Sequence, residues 1–348
     1  MNSSIETSGP SPDGKIIDDQ TTNVLLLLNI VSIYAIVCSF GVCTNVINLV
    51  VFVKQGLRDT VNMTLFGLAI ADMGSLLALL LMSLCYNPVF LYSDIVPFKA
   101  NEVSYLLSGM PRVCFTRIIS WCTAFISFER CICVLFPLKV RTLITPTRTK
   151  WVLITIYVTM AASLIPVYYT TRMDWKFYPG RNKTLLGLVF IKNREMIDRL
   201  TFGLGSFIAV CSFLCVSVCT LVLIVGLKKK SKWRQQSTMA GKSEGASERD
   251  KRIGKMVAII SSIFIITFLP INAIQIGMSL EPEFGKGKRY TNIFHVSWSF
   301  AYIFEAISST VNIFIYLKMS SKYKETFYQV FPFFVKSKEN EQKTEDRE

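Results

Sequence analysis

Several ionisable side chains lie within long apolar stretches of this chain. Glu129 and Arg130 are an adjacent acid and base near the end of one stretch, and Asp72, Arg112 and Glu305 lie inside others. Such residues cost roughly 2.5–3.5 kcal/mol each when a helix enters a bilayer. A chain that keeps them can use them as ion pairs, as contacts for a charged ligand or as a switch. We therefore expect these residues to carry the function.

The residue types for enzyme chemistry or metal binding are poorly represented. The chain has a single histidine, His295, and none of its ten cysteines forms a Cys-x-x-Cys pair. All ten fall within or at the ends of apolar stretches, where a free cysteine behaves as a small hydrophobic residue. We predict no enzyme, no cofactor and no protein metal site.

The composition predicts an all-α membrane protein. Of 348 residues, 51% are hydrophobic and 18% are charged, below the quarter that is usual in soluble domains. A span needs about 20 apolar residues, and lipid admits only helices or closed barrels. Seven stretches qualify, and Arg117 and Arg112 interrupt the third. They are 24–53, 62–86, 105–136, 151–170, 200–227, 255–280 and 291–317.

The loops predict the orientation of this seven-transmembrane helix bundle. Lys and Arg are concentrated after spans one, three and five and in the C-terminal tail, which places these segments inside and the N-terminus outside the plasma membrane. The net charge of +14 reflects this asymmetry and contact with anionic lipid, not nucleic-acid binding. Glycosylation sequons at Asn2 and Asn182 lie on the outer side.

The segments outside the spans have distinct compositions. Residues 1–23 form a polar extracellular tail. Residues 318–334 alternate basic and aromatic side chains, which is typical of a short amphipathic helix on the membrane surface. Residues 335–348 are charged and are expected to be disordered in the cytoplasm.

Polar residues also lie deep in three spans. Asn45, Asp72 and Asn312 come from spans one, two and seven. A lone aspartate at this depth needs amide partners or water. The three residues either stabilise helix packing through interhelical hydrogen bonds or form part of a functional network.

These residues together resemble the rhodopsin-like (class A) G-protein-coupled receptors over approximately residues 24–330. The similarity rests on five ordered motifs: Asn45, Leu68-Ala69-Ile70-Ala71-Asp72, Glu129-Arg130-Cys131, Phe264 with Thr267-Phe268-Leu269-Pro270, and Asn312-Ile313-Phe314-Ile315-Tyr316. The third has Cys in place of Tyr and the fifth lacks its proline. The order and helix placement make the combination much more specific than any single motif.

The resemblance implies an activation switch. Arg130 would be held at rest by Glu129 and by Asp250 at the foot of span six, so Asp250→Asn should raise ligand-independent signalling. Release of Arg130 would let span six swing outward about Pro270 and admit a heterotrimeric G protein. Arrestin and receptor kinases are further implied partners. The other implied switch residues are Asn45, Asp72, Phe264, Asn312 and Tyr316. A sodium ion near Asp72, which the resemblance also implies, stays open, since the usual serine of span three falls on Ile119.

The resemblance also places a ligand site in the outer half. Arg112, Thr116, Phe268 and Glu305 fall at cavity positions, and Arg112 replaces the aspartate that binds amines. Three interpretations stay open: Arg112 and Glu305 form a pair that a zwitterionic or acidic ligand divides, they form a permanent salt bridge, or Arg112 extends toward the surface. The disulfide usual at the outer mouth has no counterpart, so the mouth is less constrained or is braced otherwise.

The inner segment around the third span indicates the type of receptor. Phe128-Glu129-Arg130-Cys131, running into Pro137-Leu138-Lys139, looks like invertebrate chemosensory receptors, particularly molluscan ones. We predict a ligand-activated G-protein-coupled receptor for a small water-soluble cue. The alternatives are a neuropeptide receptor of the same family, or a transporter or channel.

Overall fold

A computed structural model describes residues 16–136, 139–192, 194–236 and 244–333. The sequon at Asn2, most of the predicted N-terminal tail and the predicted C-terminal tail 335–348 lie outside these ranges. Below, the outer face is the one on which the first helix begins, and the inner face is the opposite one.

Seven helices are long and apolar enough to cross a membrane, which confirms the predicted seven-helix fold. They are α1 (Asp19–Gln55), α2 (Thr60–Tyr86), α3 (Ala100–Leu135), α4 (Pro146–Thr170), α5 (Arg194–Gln236), α6 (Glu244–Leu280) and α7 (Thr291–Met319). A short C-terminal helix, α8 (Ser321–Val330), follows. Helices α5 and α6 run past the apolar spans 200–227 and 255–280, because backbone hydrogen bonding continues into polar residues that hydropathy leaves out.

Polar caps fix several helix starts. The Asp18 carboxylate accepts a hydrogen bond from the Thr21 backbone N–H at 2.9 Å, and these contacts lower the pKa of Asp18. Asp59 caps α2 in the same way through the Val61 N–H. Each cap satisfies a backbone donor that the first helical turn leaves unpaired.

Helix α3 changes its winding just before the charged residues. Its turn Tyr105–Gly109 is a π-helix, and Pro111 follows. A π turn adds one residue to the helix, and Pro111 cannot donate a backbone hydrogen bond. The added residue shifts everything after it, including Arg112 and Arg117, around the helix axis relative to the outer turn.

A β-hairpin that the sequence analysis did not predict joins α4 to α5. Strands β1 (Thr171–Tyr178) and β2 (Lys183–Phe190) are antiparallel. The Lys99 N–H donates to the Leu186 carbonyl and the Leu186 N–H to the Pro97 carbonyl, both at 2.9 Å. The segment before α3 therefore pairs with β2 and ties the hairpin to the helix bundle.

Glu102 at the start of α3 braces the hairpin further. Its carboxylate accepts hydrogen bonds from the Tyr178 hydroxyl at 2.8 Å and from the Leu188 N–H at 2.9 Å. Burial and the adjacent carboxylate raise the pKa of Tyr178 to about 12. All ten cysteines lie within the described ranges, and none of them forms a disulfide. Hydrogen bonds thus hold the outer mouth in place of a disulfide.

Helix α8 packs against the inner end of the bundle. Tyr323 and Phe327 are buried, and the Tyr323 hydroxyl donates to the Asn48 side chain of α1 at 2.6 Å. Burial raises the pKa of Tyr323. The Tyr323 ring also contacts Phe52 and Tyr316, with ring centres 5.5 and 5.3 Å apart. Aromatic packing therefore connects α8 to α1 and α7.

Candidate functional site

A cavity of about 690 Å³ occupies the outer half of the bundle. Helices α3, α5, α6 and α7 supply most of its wall, which is largely apolar and aromatic. The charged side chains that line it are Arg112, Arg117 and Lys286, and no carboxylate lines it within the described part of the chain. A volume of this size suits a small organic molecule.

Arg112 and Glu305 form a buried ion pair at the base of this cavity. The guanidinium Nη1 and the carboxylate Oε2 are 2.7 Å apart, with the two side chains 6% and 0% exposed. The carboxylate also accepts hydrogen bonds from Ser75 at 2.9 Å and from Thr116. The Arg112 guanidinium lies 3.7 Å from the centre of the Tyr302 ring. The pair is therefore held on several sides.

The two partners differ in their access to the cavity. Arg112 and Thr116 line it, whereas Glu305 lies behind them with no exposed surface. A ligand in the cavity meets the guanidinium and not the carboxylate. This arrangement fits a pair that braces the bundle and presents one face of Arg112 to the cavity.

Arg117, one and a half turns further along α3, is a second buried cation. It is 6% exposed and donates to the Ser163 hydroxyl of α4 at 2.8 Å. From the sequence, Arg117 is a charge in the outer half of the third span that interrupts its apolar stretch, and no binding role was predicted for it. The available signal was its spacing from Arg112, since residues five apart on a helix face different neighbours.

Helix α6 supplies an aromatic pair and unpartnered polar groups. Phe264 and Phe268 stack with ring centres 4.1 Å apart, and both line the cavity. Two residues beyond Pro270, the Asn272 amide nitrogen donates to the Phe268 carbonyl at 2.9 Å. The carbonyl oxygens of Asn272 and Gln275 are buried without a hydrogen-bond partner.

The predicted polar residues of α1, α2 and α7 meet in the middle of the bundle. Asp72 accepts hydrogen bonds from the Ser309 hydroxyl at 2.8 Å and from the Asn312 amide at 2.9 Å. Asn45 donates to the backbone carbonyl of Ser309 at 2.8 Å, not to Asp72. The sequence analysis did not identify Ser309, which joins the two contacts.

This central network adjoins the base of the outer cavity. Ser75 contacts Glu305 and lies one turn from Asp72 on α2, while Ser309 lies one turn from Glu305 on α7. Residues three or four apart share a helix face. The ion pair and the central network therefore lie one helical turn apart, and together they make up a polar column between α2, α3 and α7.

The inner end of α3 matches the predicted switch only in part. Arg130 and Glu129 pair at 2.9 Å, and the Thr60 hydroxyl also donates to Glu129. Asp250 is exposed, and Arg130 makes no ion pair with it within the described part of α6. The predicted Asp250 half of the contact is thus absent, because this end of α6 directs Asp250 toward the surface. The α3–α6 contact runs instead through the Ser127 and Ser261 hydroxyls at 2.6 Å.

Two further predicted residues are placed as follows. Tyr316 is buried and packs edge-on against Phe52, with ring centres 5.3 Å apart. Asn182 is exposed in the hairpin turn, with a left-handed backbone at φ 47°. Asparagine tolerates this conformation well.

Comparison with known proteins identifies similar chains. A family model described as "Serpentine type 7TM GPCR chemoreceptor Srw" matches residues 32–334. The chain is 24% identical over 309 residues to neuropeptide receptor 22 of Caenorhabditis elegans, covering 84% of this chain and 67% of that receptor. It is also 24% identical over 302 residues to growth hormone secretagogue receptor type 1 of Mus musculus, covering 84% and 78%.

Proposed function

The chain belongs to the Srw family of serpentine, seven-transmembrane G-protein-coupled chemoreceptors, and we propose that a small water-soluble cue activates it from the outer cavity. It is a receptor and a multi-pass membrane protein. A G protein and a ligand are the partners that its relatives imply. A transporter or channel is accordingly set aside.

The observation that carries the proposal is the cavity of about 690 Å³ directly above the Arg112–Glu305 pair. A ligand that contacts Arg112 acts on Glu305, and through Ser75 and Ser309 on the network around Asp72. Buried polar contacts of this kind have few alternative arrangements, so a shift at one end favours a shift at the other. The rhodopsin-like motifs and the molluscan likeness stay predictions.

At the inner face, we assign Arg130 as the group that a G protein releases from Glu129. The Arg130 Nε and one Glu129 oxygen are buried without partners, whereas the outer pair has one such atom, the Arg112 Nε. Buried unpaired groups of this kind cost about 1–3 kcal/mol each. The resting contact is therefore poised to open.

The test separates the two residues predicted to hold Arg130. We expect Glu129→Gln to raise ligand-free nucleotide exchange severalfold, because the charge that holds Arg130 is lost. Asp250→Asn should leave exchange unchanged, since no ion pair joins it to Arg130. Exchange is measured as GTP-analogue binding to a panel of heterotrimeric G proteins in membranes with equal surface expression. An increase in Asp250→Asn alone would support the original motif-based lock and reject this assignment.

A neuropeptide receptor is the second candidate, and the hairpin favours it. Its exposed Trp175 and Phe177 side chains stand among basic residues that suit an acidic peptide. These are Arg172, Lys176, Arg181 and Lys183. Hairpin substitutions that abolish the response while cavity substitutions leave it intact would favour this candidate over a small cue.

We also place the receptor in the plasma membrane with its N-terminus outside. The Lys and Arg distribution and the exposed Asn182 on the outer hairpin support this orientation. Arrestin and receptor kinases at the inner face, and anionic lipid beside the basic residues of α8, belong to the same proposal.

A further inference from the structure

We infer that Arg117 anchors a carboxylate of the ligand, and that the same ligand offers an N–H or O–H donor to Asn272 of α6. This inference deepens the proposed function, since it assumes that the ligand occupies the outer cavity. It names the chemical class of the ligand: an organic acid with an apolar or aromatic body and a hydrogen-bond donor.

The first observation is the missing counter-charge. Arg117 is only 6% exposed, yet the hydrogen-bond partner of its guanidinium is the neutral Ser163 hydroxyl. Among the side chains that the structure describes, no carboxylate pairs with it. Buried charges are almost always paired because desolvation is costly. The unpaired guanidinium lines the cavity and so faces the space in which a ligand can supply the charge.

Helix α5 is shaped to hold this guanidinium. A Cβ atom added to Gly205 would lie 1.8 Å from the Arg117 Nη2, so a side chain there would displace the guanidinium from its present position. Glycine inside a helix costs about 1 kcal/mol relative to alanine. Helix α5 thus contains a locally unfavourable glycine beside Arg117, which has no described protein carboxylate as a partner.

Arg112 is less suited to the same role. Its charge is already balanced by Glu305 at 2.7 Å, and its guanidinium stacks on Tyr302. An incoming carboxylate there would compete with a buried partner held by Ser75 and Thr116. At Arg117 the same carboxylate meets no competitor and can form two parallel charge-assisted hydrogen bonds.

The second half of the ligand follows from Asn272. Its amide nitrogen donates to the Phe268 backbone carbonyl, which can only accept, so the orientation of the side chain is fixed. The oxygen is therefore an unpartnered acceptor on the cavity wall. The nearby Gln275 oxygen is unpartnered as well. Both oxygens can accept a hydrogen bond from a ligand, and several aromatic side chains line the same cavity.

The experiment measures thermal unfolding of the purified full chain in detergent with four probes. Indole-3-acetate and 4-hydroxyphenylacetate carry a carboxylate, an aromatic body and a donor. Indole-3-ethanol and 4-hydroxyphenylethanol are the matched neutral alcohols. We expect both acids to raise Tm of the wild-type protein, since a ligand that binds the folded state stabilises it. We expect the alcohols to act much more weakly.

The variants assign the effect to Arg117. In Arg117→Gln and Gly205→Ala the half-saturating acid concentration should rise roughly ten- to a hundredfold, as expected for loss of hydrogen bonds to a charged group. Arg199→Gln removes an exposed arginine of α5, and Gly203→Ala fills open space beside the same helix. Both controls should bind the acids like the wild type.

Ligand-free stability distinguishes a binding residue from a structural one. Arg117→Gln without ligand should unfold at a higher Tm than the wild type, because an uncompensated buried charge is removed. A lower Tm would show that Arg117 braces α3 against α4, and would overturn the inference. Equal stabilisation of the wild type by acids and alcohols would also overturn it, as would no stabilisation by any of the four probes at roughly 10 mM, above a millimolar Kd. Nucleotide exchange in Glu129→Gln is independent of these outcomes, so the receptor function and the acid site can fail separately.

Discussion

At the residue scale, two arginines on one helix have opposite electrostatic situations. Arg112 has a buried carboxylate beside it, and Arg117 has none within the described part of the chain. A buried ion pair adds little net stability, but removal of one partner leaves a costly charge. Arginine therefore has two roles on this helix: Arg112 holds helices together through an ion pair, and Arg117 has a charge available for a ligand.

Removal of the Glu305 charge should expose this difference. Glu305→Gln leaves Arg112 buried beside a neutral amide, which should cost about 3–5 kcal/mol of stability and lower surface expression. Arg112→Gln should be similarly harmful, in contrast to the stabilisation expected for Arg117→Gln. Thermal unfolding of the three variants in one detergent tests the ranking.

The exchanged pair Arg112→Glu with Glu305→Arg decides what the pair does. Recovery of surface expression with loss of the response would mean that the cavity-facing charge contacts the ligand. Recovery of both expression and response would mean that the pair is a brace alone. Failure to recover expression would indicate that Ser75, Thr116 and Tyr302 fix which residue can carry which charge.

At the element scale, the hairpin replaces a covalent bond with a set of directed hydrogen bonds. Gly187 makes this possible, since a Cβ atom there would lie 1.9 Å from the Tyr178 hydroxyl. The chain thus keeps Tyr178 and Glu102 in contact across the strand. The arrangement depends on protonation: the raised pKa of Tyr178 means that its contribution is complete below about pH 10 and is lost as the pH rises toward about 12.

Tyr178→Phe should loosen the hairpin without unfolding the bundle. One hydrogen bond to a carboxylate is lost, and Glu102 keeps only the Leu188 N–H. We expect faster hydrogen–deuterium exchange in residues 171–190 and unchanged exchange in the spans at neutral pH. Tyr92→Phe, an exposed tyrosine on the same face, is the matched control. Unchanged hairpin exchange in Tyr178→Phe would show that the backbone pairing to Leu186 suffices alone.

The elements also show what a sequence can predict. The seven spans were predictable because lipid requires long apolar helices, and such helices are visible in the sequence as long runs of apolar residues. The hairpin was not, since β1 mixes charged with aromatic residues and β2 lacks a regular alternation of polar and apolar side chains. Their pairing depends on Leu186 meeting Pro97 and Lys99, which are distant in the chain.

The contacts of the candidate site likewise include some that the sequence could predict and some that it could not. The contact of Asp72 with Asn312 was expected because a deep aspartate needs amide partners, and the Arg112–Glu305 pair was an interpretation that the family resemblance left open. The direction of Asp250 depends on the rotation of α6 about its axis, which no local pattern specifies. Likewise, the isolation of Arg117 is visible only when every neighbouring element is in place.

At the scale of the whole molecule, the outer ion pair and the central network lie one helical turn apart, with Ser75 bonded to Glu305 and Ser309 to Asp72. Spatial adjacency alone does not demonstrate energetic coupling between two sites. Two residues that belong to one cooperative unit should, however, give non-additive effects when both are changed. The column between α2, α3 and α7 can therefore be tested without knowledge of the ligand.

We predict such non-additivity for Ser75→Ala combined with Asn312→Ala. The first change removes a hydrogen bond to Glu305 and the second removes one to Asp72. If the column moves as a unit, loss of either contact should reduce what the other contributes to the resting state. The free-energy effect of the double variant should then differ from the sum of the two single effects by about 0.5 kcal/mol or more. The measurements are ligand-free nucleotide exchange and Tm.

The matched control pairs Ser75→Ala with Ser320→Ala, which removes the cap of α8. These two sites share no contact, so their effects should add. If the Ser75 and Asn312 effects also add, the cavity and the inner face are not connected through this column. The signal would then have to travel along α6, where Phe264 and Phe268 stack between the cavity and the Ser127–Ser261 contact.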